Sequence, residues 1–143
     1  MKSTKNKYKV CLLEDDDFFK NLYTELLLSL DCEVVPFSRI GDFLSAVQGT
    51  AHVSEFDLLW IDRFFDSEGI DVLNIALGIT LKTKFNYCNP VVLCSCVAVP
   101  SEIYLKAGFD FFLKKEAVRS RNIKTFLEQR LQQKIEDSYV QNI

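Results

Sequence analysis

Apolar residues fall in two alternating rhythms along this chain. Tyr8, Val10, Cys11, Leu12 and Leu13 form a short apolar run of the kind that fills a strand buried on both faces. The acidic run Glu14-Asp15-Asp16-Asp17 stops it. Phe18, Phe19, Leu22, Tyr23, Leu26, Leu27 and Leu30 then recur at helical spacing and predict an amphipathic helix over 17–30. Asp16 or Asp17 is its N-cap, with acids at the positive end of the helix dipole. The same alternation predicts a strand over 32–36, a helix over 40–48 and a strand over 56–61 that ends at Asp62. A helix over 69–82 follows, with Ile70, Leu73, Leu77 and Leu81 on one face. Its additional Val72, Ile75 and Ile79 read first as extra core contacts, with a partner face as the other reading. A strand over 90–95 precedes a helix that starts at Pro100, runs to Ala107 and is ended by Gly108. A fifth strand covers 109–113. The last helix, 116–137, turns Val118, Ile123, Phe126, Leu127, Leu131 and Ile135 inward. Five strands apolar on both faces and separated by five helices predict an α/β fold, a doubly wound parallel sheet covered on both sides.

The 143 residues are enough for one domain, expected over 1–137 with its core at about 8–133. Residues 138–143 read as a short tail, with no room for an output domain. Lys and Arg number 17 against 20 Asp and Glu, a net charge of −3, which argues against nucleic-acid binding through general electrostatics. No apolar run approaches membrane-spanning length and the basic N-terminus lacks the apolar core of a secretory signal, so a cytoplasmic location is expected. The five cysteines are odd in number and without C-x-x-C spacing. Cys94 and Cys96 read as neighbours on one face of a strand, and the lone His52 as a solvated loop residue.

In an open parallel sheet, chemistry gathers beyond the carboxyl ends of the strands. The first strand delivers Glu14 and Asp15 there, the third Asp62, the fourth Ser95 and the fifth Lys115. Taken singly, each has an ordinary structural explanation as a helix cap, a turn residue or a solvated lysine. Five at matching strand ends make a joint signal. Crowded carboxylates call for a cation, and hard oxygen ligands suit Mg²⁺ (or Mn²⁺). A carboxylate beside such a metal can attack phosphorus, while an ammonium and a hydroxyl hold the transferring oxygens.

The constellation resembles the receiver domain of two-component response regulators, of the single-domain kind found in chemotaxis. Cys11-Leu12-Leu13-Glu14-Asp15-Asp16 is similar to the family's strand ending in its acidic pair. Phe56 through Asp62 resembles the strand carrying the phosphoacceptor, Asn89 through Ser95 the strand ending in the switch hydroxyl, and Ala107 through Lys115 the stretch ending in the lysine. The resemblance implies the flavodoxin-like strand order 2-1-3-4-5. It also implies that Asp62 accepts a phosphoryl group from a sensor histidine kinase or a histidine phosphotransfer protein. Glu14, Asp15, Asp62 and the backbone carbonyl of Phe64 would hold Mg²⁺, and Lys115 and Ser95 would bind phosphoryl oxygens. Ser95 and Phe112 would act as the switch. Output would pass to another protein through the fourth predicted helix, fifth strand and last helix, with no nucleic acid or membrane partner and homodimerisation left open. Such a protein phosphorylates itself from a phosphodonor and loses the group slowly, without being a conventional enzyme.

Three residues depart from the family pattern. Asp66 stands where proline is usual after the acceptor, Glu116 replaces the proline after the lysine and so removes the usual cis peptide, and Phe64 places a bulky apolar side chain two residues past Asp62. A degenerate receiver serving only as an interaction module is the alternative. A haloacid-dehalogenase-type phosphatase fits less well, because Asp15-Asp16-Asp17-Phe18-Phe19 lacks the required Thr or Val. A flavin or dinucleotide binder would need a glycine-rich phosphate loop where this chain has acids.

Overall fold

The computed structural model describes residues 8–48, 50–65 and 69–131. Five strands form one parallel sheet: β1 (Tyr8–Leu13), β2 (Cys32–Phe37), β3 (Leu58–Asp62), β4 (Val91–Ser95) and β5 (Phe111–Lys114), in the order 2-1-3-4-5. The register brings the carboxyl ends to one edge: Leu13 lies beside Phe37 and Ile61, Asp62 beside Cys94, and Ser95 beside Lys114.

Alternation along the strands sorts the core into two layers. Val10, Leu12, Leu58, Trp60, Val92 and Cys94 pack under α1 (Asp17–Ser29) and α6 (Ser120–Thr125), which continues as a π-helical stretch, Phe126–Leu131. Cys11, Leu13, Leu59, Ile61, Val91 and Leu93 pack under α2 (Ile40–Ala46), α3 (Thr50–Val53), α4 (Leu77–Thr83) and α5 (Ser101–Lys106). Helices on both faces explain why these strands carry no polar alternation. Asp16 caps α1, its carboxylate accepting from the Phe18 and Phe19 amides at 2.9 and 3.2 Å, an interaction of about 1 kcal/mol.

Element boundaries differ from expectation at the starts of the third and the last predicted helices. The pattern over 69–82 predicts one helix, yet α4 starts at Leu77. Ala76 adopts a left-handed conformation (φ 51°) that breaks any helix entering from upstream. Before it, the Val72 amide donates to Arg63 O at 2.8 Å and the Leu73 amide to Asp71 Oδ1 at 3.0 Å, so these donors serve a loop. Of the surplus apolar residues, Val72 is in the core whereas Ile75 and Ile79 are exposed. The last helix begins later than residue 116. Lys115–Ala117 is a 3₁₀ turn, and α6 starts at Ser120. With glutamate instead of proline at 116, Lys115 is free of the restriction that proline imposes on its predecessor. No cis peptide occurs among the described residues. Cys96 lies beyond β4 and is exposed, unlike buried Cys94, and His52 belongs to the short α3. Asp66, the end of the last helix and the tail over 138–143 lie outside the described residues.

Candidate functional site

The first, third and fifth strands deliver their charged residues to a single cluster at the carboxyl edge. Glu14 directly follows β1, Asp62 ends β3 and Lys115 opens the turn after β5. Lys115 Nζ lies 2.9 Å from Glu14 Oε1 and 2.8 Å from Asp62 Oδ1. All three are withdrawn from solvent: Glu14 is 1% and Asp62 6% exposed, and the lysine side chain 10%. Asp15 completes the cluster, offering an oxygen within 4.8 Å of oxygens from Glu14 and Asp62.

Three carboxylates and one ammonium leave an excess of negative charge in a poorly hydrated place. Burial, reinforced by the charge of Asp62, pushes the Glu14 pKa up to about 7 against the opposing pull of Lys115. Burial likewise raises Asp62, again opposed by Lys115, with Asp15 adding to the rise. For Lys115, burial works against the charged form, but hydrogen bonds and charge from Asp62 and Glu14 outweigh it and hold the ammonium above its ordinary range. The acids thus resist ionisation while the base is locked charged, as expected where one cation serves several carboxylates. Hard oxygen donors at this spacing fit a Mg²⁺-sized ion that keeps part of its hydration.

The remaining residues expected at the site have other partners. Asp62 Oδ2 accepts from the Phe64 amide at 3.1 Å, and the Phe64 side chain is exposed beneath the Arg63 guanidinium, 5.0 Å from its ring. Ser95 is buried, and its Oγ accepts from the Val97 amide at 3.1 Å in its own loop. Phe112 is half-buried and stacks on Tyr104 of α5 with ring centres 5.9 Å apart. The structure therefore joins Glu14, Asp15, Asp62 and Lys115, and keeps Ser95 and Phe112 on contacts outside that cluster.

Two further features escape sequence reasoning. Arg63 pairs with Asp71, Nη2 to Oδ2 at 3.1 Å, closing the base of the loop after Asp62. The ring of Phe19 lies under Lys115 Nζ at 4.3 Å. The first had no signal, because its partners meet only through a loop that replaces predicted helix. The second was in principle readable: Phe19 stands in the first turn of a helix that begins over the carboxyl edge.

No family model matches this sequence, and no curated protein matches it. Solved structures do. A CheY-like response regulator receiver domain protein from Methanospirillum hungatei JF-1 superposes with a TM-score of 0.69, covering 91% of this chain and 98% of its own at 15% identity. The fold is that of a receiver domain. Chemotaxis protein CheY4 of Vibrio cholerae gives a TM-score of 0.67 over 85% and 97% of the two chains at 13% identity. The receiver domain of a sensor histidine kinase from Pseudomonas aeruginosa PAO1 gives 0.65 over 87% and 98% at 16% identity, and its structure holds a magnesium ion in the active-site cleft. At these identities the likeness is one of fold, so the receiver fold of this chain rests on its architecture and its chemistry on its own side chains. No described helix is long and apolar enough to cross a membrane.

Proposed function

We propose that this chain is a phosphorylation-activated signalling switch that accepts a phosphoryl group on Asp62. The observation that carries this reading is Lys115 bridging Glu14 and Asp62 with Asp15 in reach, at the edge where a receiver fold places its chemistry. An Asp62 oxygen attacks phosphorus, the bond from phosphorus to the donor histidine nitrogen breaks, and the imidazole leaves with the electron pair and regains a proton. Glu14, Asp15, Asp62 and the Phe64 carbonyl are the groups that would hold Mg²⁺, or Mn²⁺ in its place, which when bound offsets charge on the transferring oxygens. Lys115 pairs with one phosphoryl oxygen. Ser95 leaves the Val97 amide to bond another, and Phe112 leaves its stack on Tyr104 as the hydroxyl moves. The donor is a sensor histidine kinase or histidine phosphotransfer protein. The signal leaves through α5, β5 and the last helix to another protein.

Intact mass after incubation with Mg²⁺ and acetyl phosphate tests the reading. One phosphoryl adduct is expected, dependent on the metal and absent from Asp62→Asn. No adduct from acetyl phosphate or from phosphorylated histidine donors would sink it and leave a phosphorylation-independent interaction module.

Phe64 sets how long the signal lasts. Its amide is anchored to Asp62 Oδ2, and its exposed ring lies against the Arg63 guanidinium. There it hinders the water that would hydrolyse the acyl phosphate. Phe64→Asn is expected to shorten the lifetime of the phosphorylated protein roughly tenfold, a barrier change of about 1.4 kcal/mol. An unchanged lifetime, followed by mass after removal of donor, would contradict this role.

A further inference from the structure

Lys115 is the only lysine of this chain that the structure places against two buried carboxylates at once, among the described residues. Such an ammonium has two other directions in which to move, toward solvent and toward whichever carboxylate is left when a second cation or a phosphoryl group claims the other. What closes the remaining side is aromatic. Lys115 Nζ sits 4.3 Å from the centroid of the Phe19 ring, inside the range in which a π face attracts a cation.

The ring is itself held. Phe18 meets it edge-on, with centroids 5.3 Å apart and planes at 83°, and Tyr23 lies 5.7 Å away on the next turn of α1. Tyr23 is buried and packs in turn on Trp60 of β3 at 5.1 Å, so the row is anchored in the core beneath Asp62. The capped first turn of α1 fixes the backbone from which Phe19 projects. Glu14, Asp62 and Phe19 are thus three walls of one lysine site, of which only the aromatic wall keeps its attraction when the carboxylates are taken by other partners.

We infer that Phe19 is a positioning residue that holds the Lys115 ammonium at Asp62 through the face of its ring. The inference deepens the phosphoryl-acceptor reading and rests on it for its functional consequence, though not for the contact itself. Attraction of this kind, partly desolvated, corresponds to roughly a three- to tenfold effect on a step that needs the ammonium in place.

Two measurements separate this inference from the reading beneath it. The first is the order parameter of the Lys115 ammonium from nitrogen relaxation, which needs no phosphorylation. Lys115 should be ordered in the wild type and in Phe19→Tyr, and mobile in Phe19→Leu, where apolarity and most of the volume are kept but the π face is lost. The second is the rate of adduct formation with acetyl phosphate and Mg²⁺. Phe19→Leu should slow it roughly three- to tenfold and Phe19→Tyr should restore it. Equal ordering of Lys115 in Phe19→Leu and wild type overturns the inference. So does an equal loss in the Leu and Tyr variants, which would make Phe19 a packing residue only. A wild type that takes no phosphoryl group refutes the acceptor reading instead, and the order parameter then decides the placement of Lys115 alone.

Discussion

Alanine at Gly108 is expected to destabilise the fold by about 3–5 kcal/mol, the sum of a left-handed backbone penalty and a clash that cannot relax. Gly108 has φ 93°, and a Cβ built there would lie 2.4 Å from Ile79 N and 2.5 Å from Gly78 C. These are backbone atoms of α4, which cannot swing aside as a side chain can. The approach is close for a reason: the Ile79 amide donates to Ala107 O at 3.1 Å, tying α4 to the turn that ends α5 and leads into β5. For a chain of this size the loss corresponds to a fall in Tm of roughly 10 °C or more. Gly41→Ala is the control. Gly41 lies in α2 with nothing within 4 Å of the added carbon, so alanine there should stabilise by about 0.5–1 kcal/mol. Thermal melts of the two variants that move together would refute the close-approach argument.

That contact bears on how much of this molecule is legible in its sequence. The sheet was readable because Val10 to Leu13, Leu58 to Ile61 and Val91 to Cys94 are apolar on both faces, which only a doubly covered sheet explains. Placing chemistry at the strand ends then followed from topology, and Glu14, Asp15, Asp62 and Lys115 do converge. What could not be read depends on partners distant in the chain. Residues 69–76 carry a helical pattern, but Val72 spends its amide on Arg63 and Asp71 spends its carboxylate on Arg63 and Leu73, so a loop takes their place. The orientation of the Ser95 hydroxyl is equally invisible in sequence. Ser95 could point to Asp62 or to its own loop, and only the structure shows it on Val97. Gly108 reads as a helix stop, and the sequence carries no sign that α4 passes against it.

Methionine at Lys115 is the other change with a large expected effect, and its pH dependence identifies the cause. The substitution keeps most of the side-chain volume and removes the charge that, among the described residues, compensates Glu14 and Asp62. Leaving buried carboxylates without their partner costs about 3 kcal/mol when both are ionised. The window follows from the direction of the shifts. A carboxyl whose pKa is raised by folding contributes stability that is complete below its unfolded value and is lost as pH rises through its folded value. For Glu14 in the wild type that loss runs from the ordinary value of 4.5 to about 7. In Lys115→Met both acids move further up, so the loss continues above that range. Near pH 8 the variant should melt roughly 10 °C below wild type. As pH falls and the raised acids take up protons in the folded state, the gap between the two proteins should narrow. The pKa of Lys115 itself is raised by these pairs, so its own titration falls above the ordinary lysine range and contributes nothing to this window. Millimolar Mg²⁺ supplies a second check, because a cation that binds only the folded state raises stability through mass action. With the competing ammonium gone, Mg²⁺ should raise the Tm of the variant more than that of the wild type near neutral pH. Trp60, the single tryptophan and two residues before Asp62 on the same face of β3, offers an optical probe of binding. A Tm difference independent of pH would mean that Lys115 acts through packing alone. A variant that Mg²⁺ stabilises no more than wild type would mean that the ammonium and the metal do not share these oxygens. Either result would remove the electrostatic basis on which the phosphoryl-acceptor reading stands.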